Sequence, residues 1–360
     1  MDGLFVGEGT LLVQCAEEFA QTGGKIAGIL SHEPRVRAWA QAEGFALFEH
    51  PEDPGLADLS FDYLFSIVNL TIFPHHLPVQ PTRMAINFFD GPLPKYTGIN
   101  VTSWAILQGE TEHAVTWHEM TDKADTGRIV KTRSVPVAAD ETSMTLNAKC
   151  YEAGLASFAE LVAELKEDRI SPVAQGTERH WYDRDKRPEN LGTLDFTARA
   201  ESLSRLVRAL DFGTYANPLA RAKLWTGRDM ALIGSLSIET QPASGPSGQV
   251  VALGPDSLTI AANDADVTLG NLQDLTGAPL APEGLGLTVG MQLPSLPPMP
   301  EQLAEAAARA EDYWRQMLSQ VQPPQSPYPV NRDVGDGAMT APVAVDQSLT
   351  ADQAAAGLLT

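Results

Sequence analysis

Short apolar runs alternate with amphipathic stretches from residue 3 to residue 165, the signature of a mostly parallel sheet covered by helices. Strands are predicted over Leu4–Gly7, Ile26–Ser31, Ala46–Phe48, Tyr63–Val68, Met84–Phe88, Ala114–Met120 and Ile129–Val135, and helices over Thr10–Gln21 and Pro34–Ala42. The longest helix is predicted over Ser143–Lys166, where Met144, Ala148, Tyr151, Leu155, Phe158, Val162 and Leu165 form one apolar stripe. Asp140, Glu141 and Thr142 give it an acidic, capping start. A polar stretch from Gln175 to Asn190 breaks the alternation.

A helix over Ala200–Leu210 and strands around Ala220–Trp225, Met230–Leu236, Gly248–Leu253, Ser257–Ala262 and Val267–Leu272 follow, with frequent turn residues, and predict a small OB-like β-barrel. Beyond the proline-rich run Leu293–Pro300 a helix is predicted over Glu301–Gln320, then a second proline run over Pro323–Pro329 and a weakly periodic tail. The organisation expected is a Rossmann-like α/β domain over 1–175 with helices on both sheet faces, a β-barrel domain over 190–295, a linker with a helix over 296–330, and an extended tail over 331–360. The apolar pattern Leu349–Leu359 stops without a helix-ending signal, which suggests a segment leading to a further domain.

Composition narrows the function. Over 360 residues, 25 Lys and Arg against 46 Asp and Glu leave a net charge of −21, which argues against a nucleic-acid partner. Cys15 and Cys150 are the two cysteines, and no His, Cys or carboxylate spacing makes a metal site. The first residues lack a signal-peptide pattern and no window approaches a membrane span, so a cytoplasmic protein with no membrane partner is expected.

Two segments carry candidate chemistry. Gly7-Glu8-Gly9 follows the first strand, but Leu12 stands where a phosphate-cradling fingerprint needs glycine, so a simple strand-to-helix turn is expected. In Ile86-Asn87-Phe88-Phe89-Asp90-Gly91-Pro92-Leu93-Pro94-Lys95-Tyr96-Thr97-Gly98, an asparagine leaves a buried strand ahead of a rigid proline loop, with a helix beginning near Gly98. Downstream the strand over 114–120 feeds a turn containing Asp122, Asp125, Thr126 and Gly127. Asn87 facing Asp125 across a cleft places an amide to polarise a carbonyl beside a carboxylate to manage protons. The plain alternative is that both satisfy turn backbone.

Together with Gly109-Glu110-Thr111-Glu112 and Val115-Thr116-Trp117-His118-Glu119-Met120, these segments resemble the folate-dependent formyltransferase family, in its methionyl-tRNA and aminoarabinose formyltransferase-like branches. The resemblance covers residues 1–165, and extends more weakly to about 295 through Arg208-Ala209-Leu210-Asp211. It implies formyl transfer from 10-formyltetrahydrofolate to an amine, using an Asn, a His two residues later and the Asp of an Asp-Thr-Gly turn. By position Asn87 matches the Asn and Asp125 the Asp, while Phe89 holds the place of the His and can neither donate nor accept a proton.

His118, where aminoarabinose-type relatives also carry His, and His75 and His76 are candidates to compensate, and His113 is expected to face solvent. Leu70 and Ile72, in the segment after the strand over 63–68, and Asp122 match the family's folate-binding positions, with a buried strand end as the plain reading of the two apolar residues. The helix containing Tyr313-Trp314-Arg315 and the prolines after it resemble the condensation-type linker between formyltransferase-like and adenylation domains of nonribosomal peptide synthetases. The resemblance thus implies a formyltransferase-like domain acting on a small-molecule or carrier-bound amine, with adenylation and carrier domains as partners. Phe89 motivates the alternative, a catalytically degenerate docking module.

Overall fold

Five parallel strands build one side of a seven-stranded sheet because their sequences are apolar on both faces, as a sheet covered by helices requires. The structure is a computed structural model and describes residues 1–215, 217–296 and 300–320. In chain order its first half comprises β1 (Asp2–Gly7), α1 (Gly9–Gln21), β2 (Lys25–Leu30), α2 (Pro34–Glu43), β3 (Leu47–Phe48), α3 (Pro54–Ala57), β4 (Tyr63–Ile67), α4 (His76–Val79), β5 (Met84–Phe89), β6 (Tyr96–Gly98), α5 (Val101–Gln108), β7 (Glu112–Glu119), β8 (Ile129–Pro136) and α6 (Ser143–Lys166). The sheet order is β3-β2-β1-β4-β5-β7-β8. β7 runs antiparallel to β5, and β8 antiparallel to β7.

Local chemistry sets the element ends. Pro34 opens α2 and Gly44, at φ 74°, closes it. At the head of α6, Thr142 Oγ1 accepts from the Thr145 amide at 3.2 Å while Thr145 Oγ1 accepts from the Thr142 amide at 3.0 Å. Gly7 is required where β1 turns into α1: φ is 132°, and a Cβ there would lie 1.9 Å from the Ile67 carbonyl oxygen.

Helix α6 spans the expected residues and buries the C-terminal half of the expected stripe, Phe158, Val162 and Leu165, but its N-terminal half turns other residues inward. Leu146, Cys150, Gly154, Phe158 and Leu161 are buried, whereas Ala148 is exposed and Met144, Tyr151 and Leu155 are half-buried. The reason is Gly154, which lets the helix approach Phe88: an added Cβ would stand 2.8 Å from that ring.

The second half adds β9 (His180–Tyr182), α7 (Ala200–Ala209), β10 (Lys223–Trp225), β11 (Met230–Leu232), β12 (Ser235–Pro242), β13 (Val250–Leu253), β14 (Ser257–Ala261), β15 (Ala265–Gly270) and α8 (Glu301–Gln320). Among the described residues six strands replace the five expected here, because the Met230–Leu236 run breaks at Ile233-Gly234 into β11 and the start of β12. They form a four-stranded antiparallel sheet, β12-β15-β14-β13, and a separate β10-β11 ribbon whose Leu232 bridges to Gln273, three residues past β15, rather than one continuously hydrogen-bonded barrel. Residues 1–310 make one compact unit; of the second, 311–360, the described part is the helical end of α8. The second proline run and the tail lie outside the described residues. Among the described residues no helix is long and apolar enough to cross a membrane.

Three apolar clusters fill the interior. One face of the sheet packs Phe5, Phe65, Ile86, Phe88 and Trp117 against α1 and α6. Leu4, Val6, Leu64 and Ala85 cover part of the other face. A third cluster runs from Phe89 and Trp104 into the β-rich half through Leu203, Leu258 and Val267.

Candidate active site

The polar centre of the sheet is a row across three strands. Ser66 of β4 is the registered neighbour of Asn87 in β5, and Asn87 is the registered neighbour of His118 in β7. Registered neighbours share a sheet face, so all three side chains leave on the face opposite Phe88 and Trp117.

His118 is 3% exposed. Its Nδ1 lies 2.8 Å from the Glu119 carbonyl oxygen, which can only accept, so Nδ1 carries the proton and Nε2 the lone pair. Asn87 Nδ2 donates to that lone pair at 3.1 Å. Asp125 Oδ1 is 3.8 Å from the same Nε2. Burial holds the imidazole below its ordinary pKa, against the opposing pull of the Glu119 carbonyl and the Asp125 carboxylate. His118 is therefore neutral at neutral pH, with its basic nitrogen between an amide and a carboxylate.

The Asp125 turn is held from several sides. Asp125 sits at φ 55°, the left-handed region. Its Oδ2 accepts from the Gly98 amide at 2.9 Å, and Gln175 Nε2 donates to the Asp125 and Gly127 carbonyls at 2.9 and 2.7 Å. Arg179 in turn donates to Gln175 Oε1 at 3.0 Å. Gly127 admits no side chain, since a Cβ would lie 1.8 Å from the Glu119 carbonyl oxygen.

Phe89, although on the same strand face as Asn87, is 6% exposed and belongs to the cluster with Leu93, Tyr96, Val101 and Trp104. It is a packing residue. His113 corrects a second expectation: it is 1% exposed, not solvent-facing, and its Nε2 donates to the Asp90 carbonyl at 2.7 Å. With Thr116 Oγ1 donating to the Gly91 carbonyl at 2.7 Å, it anchors the turn that follows Asn87. The Asp90 carboxyl is pushed up to about 6, mainly by loss of solvent and further by the Asp125 charge.

The remaining candidates lie on loops beside this row. β4 ends at Ile67, and Leu70 and Ile72 are 84% and 86% exposed instead of forming a buried strand end. Val68 takes φ 51°, an unusual conformation for a β-branched residue and a mark of constraint where the chain leaves β4. His75 Nδ1 meets Asp122 Oδ1 at 2.5 Å, tying this loop to the Asp125 turn. His76 contacts the Pro51 carbonyl at 3.3 Å, away from the row. At the first residue of α1, the amide of Gly9 donates to Glu33 Oε2 at 2.5 Å, so the glycine turn is engaged by a carboxylate. Among the described residues no group of His, Cys, Asp and Glu could hold a metal ion.

The sequence pattern singled out Asn87 and Asp125, and the structure brings both to one imidazole. It left His118 as one of several histidines; the signal available was its place in β7, which pairs with the strand of Asn87.

Comparison with known proteins gives two matches along the chain. Residues 53–162 match Formyl transferase, and residues 188–285 match Formyl transferase, C-terminal domain. Among solved structures, WlaRD, a sugar 3N-formyl transferase in the presence of dTDP and 5-N-formyl-THF, is similar with a TM-score of 0.59 at 16% identity over 75% of this chain and 97% of that one. An N-formyltransferase from Helicobacter canadensis, in complex with folinic acid and dTDP-3-aminofucose, gives 0.60 at 16% identity over 75% and 99%. HypX from Aquifex aeolicus, in complex with tetrahydrofolic acid, gives 0.53 at 18% identity over 76% of this chain and 44% of that one. Identities this low speak for a shared fold.

Proposed function

The chain belongs to the formyl transferase family, and from that premise we propose that it transfers a formyl group from 10-formyltetrahydrofolate to an amine, with Asn87, His118 and Asp125 doing the chemistry. The observation that carries this reading is His118 Nε2 standing 3.1 Å from Asn87 Nδ2 and 3.8 Å from Asp125 Oδ1. A buried neutral imidazole at that point supplies the proton acceptor that Phe89 cannot.

The donor supplies an activated formyl group whose carbon is attacked by the amine nitrogen. Asn87 Nδ2–H stabilises the negative charge that develops on the formyl oxygen. As Asn87 Nδ2–H moves from His118 Nε2 to the formyl oxygen, the freed lone pair of Nε2 takes the proton from the attacking amine, and Asp125 stabilises the resulting imidazolium. As the tetrahedral adduct collapses, His118 returns that proton to the departing folate nitrogen, so protons and bonds balance. The exposed Leu70 and Ile72, on a loop tied by the His75–Asp122 contact, supply apolar surface for a planar pterin ring.

For the acceptor we favour an amine, small or carrier-bound, within a peptide synthetase. The charge of −21 argues against tRNA, and Glu33 occupies the Gly9 amide where a phosphate would need a donor. We assign catalysis to 1–175, the acceptor-side β-rich domain to 190–295, and the linker to 296–330 and 331–360 ahead of adenylation and carrier domains.

The test is incubation of the chain with 10-formyltetrahydrofolate and three acceptors: an aminoacyl carrier protein, a free amino acid and a dTDP-amino sugar. Formylation of either of the first two is expected. Formylation of the sugar alone replaces the acceptor assignment, and absence of both transfer and folate binding leaves the docking module as the reading.

A further inference from the structure

We propose that Ser66 is a positioning residue whose hydroxyl locks the Asn87 amide in the orientation the chemistry needs, a role that rests on the reaction proposed above. Ser66 is fully buried in β4, and among the described residues its hydroxyl has no hydrogen-bond partner. Buried polar groups are rarely left in that state, because the hydration lost on folding is not replaced.

The register identifies its partner. Ser66 has two neighbours in its row, Val6 on β1 and Asn87 on β5. Adjacent strands lie about 4.8 Å apart and the side chains share a face, so the amide of Asn87 is the one polar group beside the hydroxyl in that row.

Asn87 needs such a partner. Its Nδ2 is committed to His118. The two ends of an amide are alike in shape and opposite in chemistry. A flipped Asn87 would point Oδ1 at the His118 lone pair and an acceptor at the formyl oxygen, defeating both of its functions. A donor reaching Oδ1 is what discriminates the two orientations, and a turn of the Ser66 side chain about its Cα–Cβ bond makes Oγ–H that donor while Nδ2 stays on His118.

His118 reports on the lock without any turnover. An amide that donates to Nε2 opposes protonation there; one free to flip accepts from the imidazolium and favours it. Asp125 and Arg179 also bear on this imidazole electrostatically, and the Glu119 carbonyl bonds its other nitrogen. None of them changes when Ser66 is replaced.

The experiment is an NMR titration of His118 in the full chain as wild type, Ser66→Ala, Ser66→Thr and Asn87→Ala. Ser66→Ala is expected to raise the His118 midpoint by about 0.5–1 unit, the worth of one hydrogen bond, and Ser66→Thr to restore it. Asn87→Ala sets the midpoint with no amide present. In transfer assays Ser66→Ala is expected to lower kcat about tenfold at nearly constant donor KM. An unmoved His118 midpoint in Ser66→Ala, with the fold intact, overturns the proposal. Absence of transfer by the wild type overturns the reaction instead and leaves the titration to decide on Ser66.

Discussion

Replacing His118 by Gln tests the site most directly. The imidazole is 3% exposed, accepts from Asn87 and lies 3.8 Å from Asp125 Oδ1, so Gln fills much of its volume while removing the titratable nitrogen. General-base catalysis by a positioned side chain is worth roughly 10²–10⁴ in rate, or about 3–5 kcal/mol of barrier at 1.36 kcal/mol per decade. With phenylalanine at position 89, that whole factor falls on His118. The Glu119 carbonyl also loses its donor, at a cost of about 1–3 kcal/mol in stability. The assay is single-turnover formyl transfer to an amine, with donor affinity measured separately by fluorescence quenching. A fall of about 10²–10⁴ in rate at near-constant donor affinity is expected, together with loss of the acidic limb of the pH–rate profile. A variant retaining a third or more of the wild-type rate would refute the assignment of the base.

Three further outcomes follow from the same geometry. Phe89→His puts a polar ring into an apolar cluster at 6% exposure; it is expected to cost about 2–4 kcal/mol by urea denaturation without raising transfer, and a tenfold gain in rate would relocate the missing base to β5. Gly127→Ala forces a Cβ against the Glu119 carbonyl at 1.8 Å; displacement of the Asp125 turn is expected, seen as a loss of transfer of at least about tenfold and of about 1–3 kcal/mol in stability, whereas an unaltered enzyme would show that the turn has slack. Burial depresses the pKa of both His113 and His118, so the unfolded state binds more protons below about pH 6.5 and stability declines as pH falls from there toward the folded-state values. Asp90 contributes with the opposite sign: raised to about 6, it favours the folded state at low pH and loses that contribution as pH rises through 6. Urea midpoints between pH 5 and 8 should therefore show a slope that flattens in His118→Gln, and an unchanged slope would remove His118 as its source.

Much of the fold is visible in the residue pattern because it is written locally. The apolar runs of β1, β4 and β5, the capping box of α6 and the proline and glycine bounding α2 each act through neighbours a few positions away. The N-terminal half of the inward stripe of α6 was not legible, since it depends on Phe88 from a distant strand approaching Gly154. The same holds for His113, which is polar and begins a strand, yet is drawn inside by the Asp90 carbonyl. Leu70 and Ile72 mislead in the other direction: they continue an apolar run, but the turn at Val68 leads the chain out of the sheet before they are reached.

By itself the sequence determined the alternation that makes a covered sheet, the net charge of −21, and the presence of an amide near the end of one strand and a carboxylate in the turn after another. Only the tertiary structure decided which histidine stands between them. That choice lies in the register of β5 against β7, where Asn87 pairs with His118. Side chains alternate faces along a strand, so a slip of one residue would have set Trp117 beside Asn87 and sent the imidazole to the other side of the sheet. No local preference in either strand encodes that pairing; it follows from burying Phe88 and Trp117 together on the opposite face, against α6.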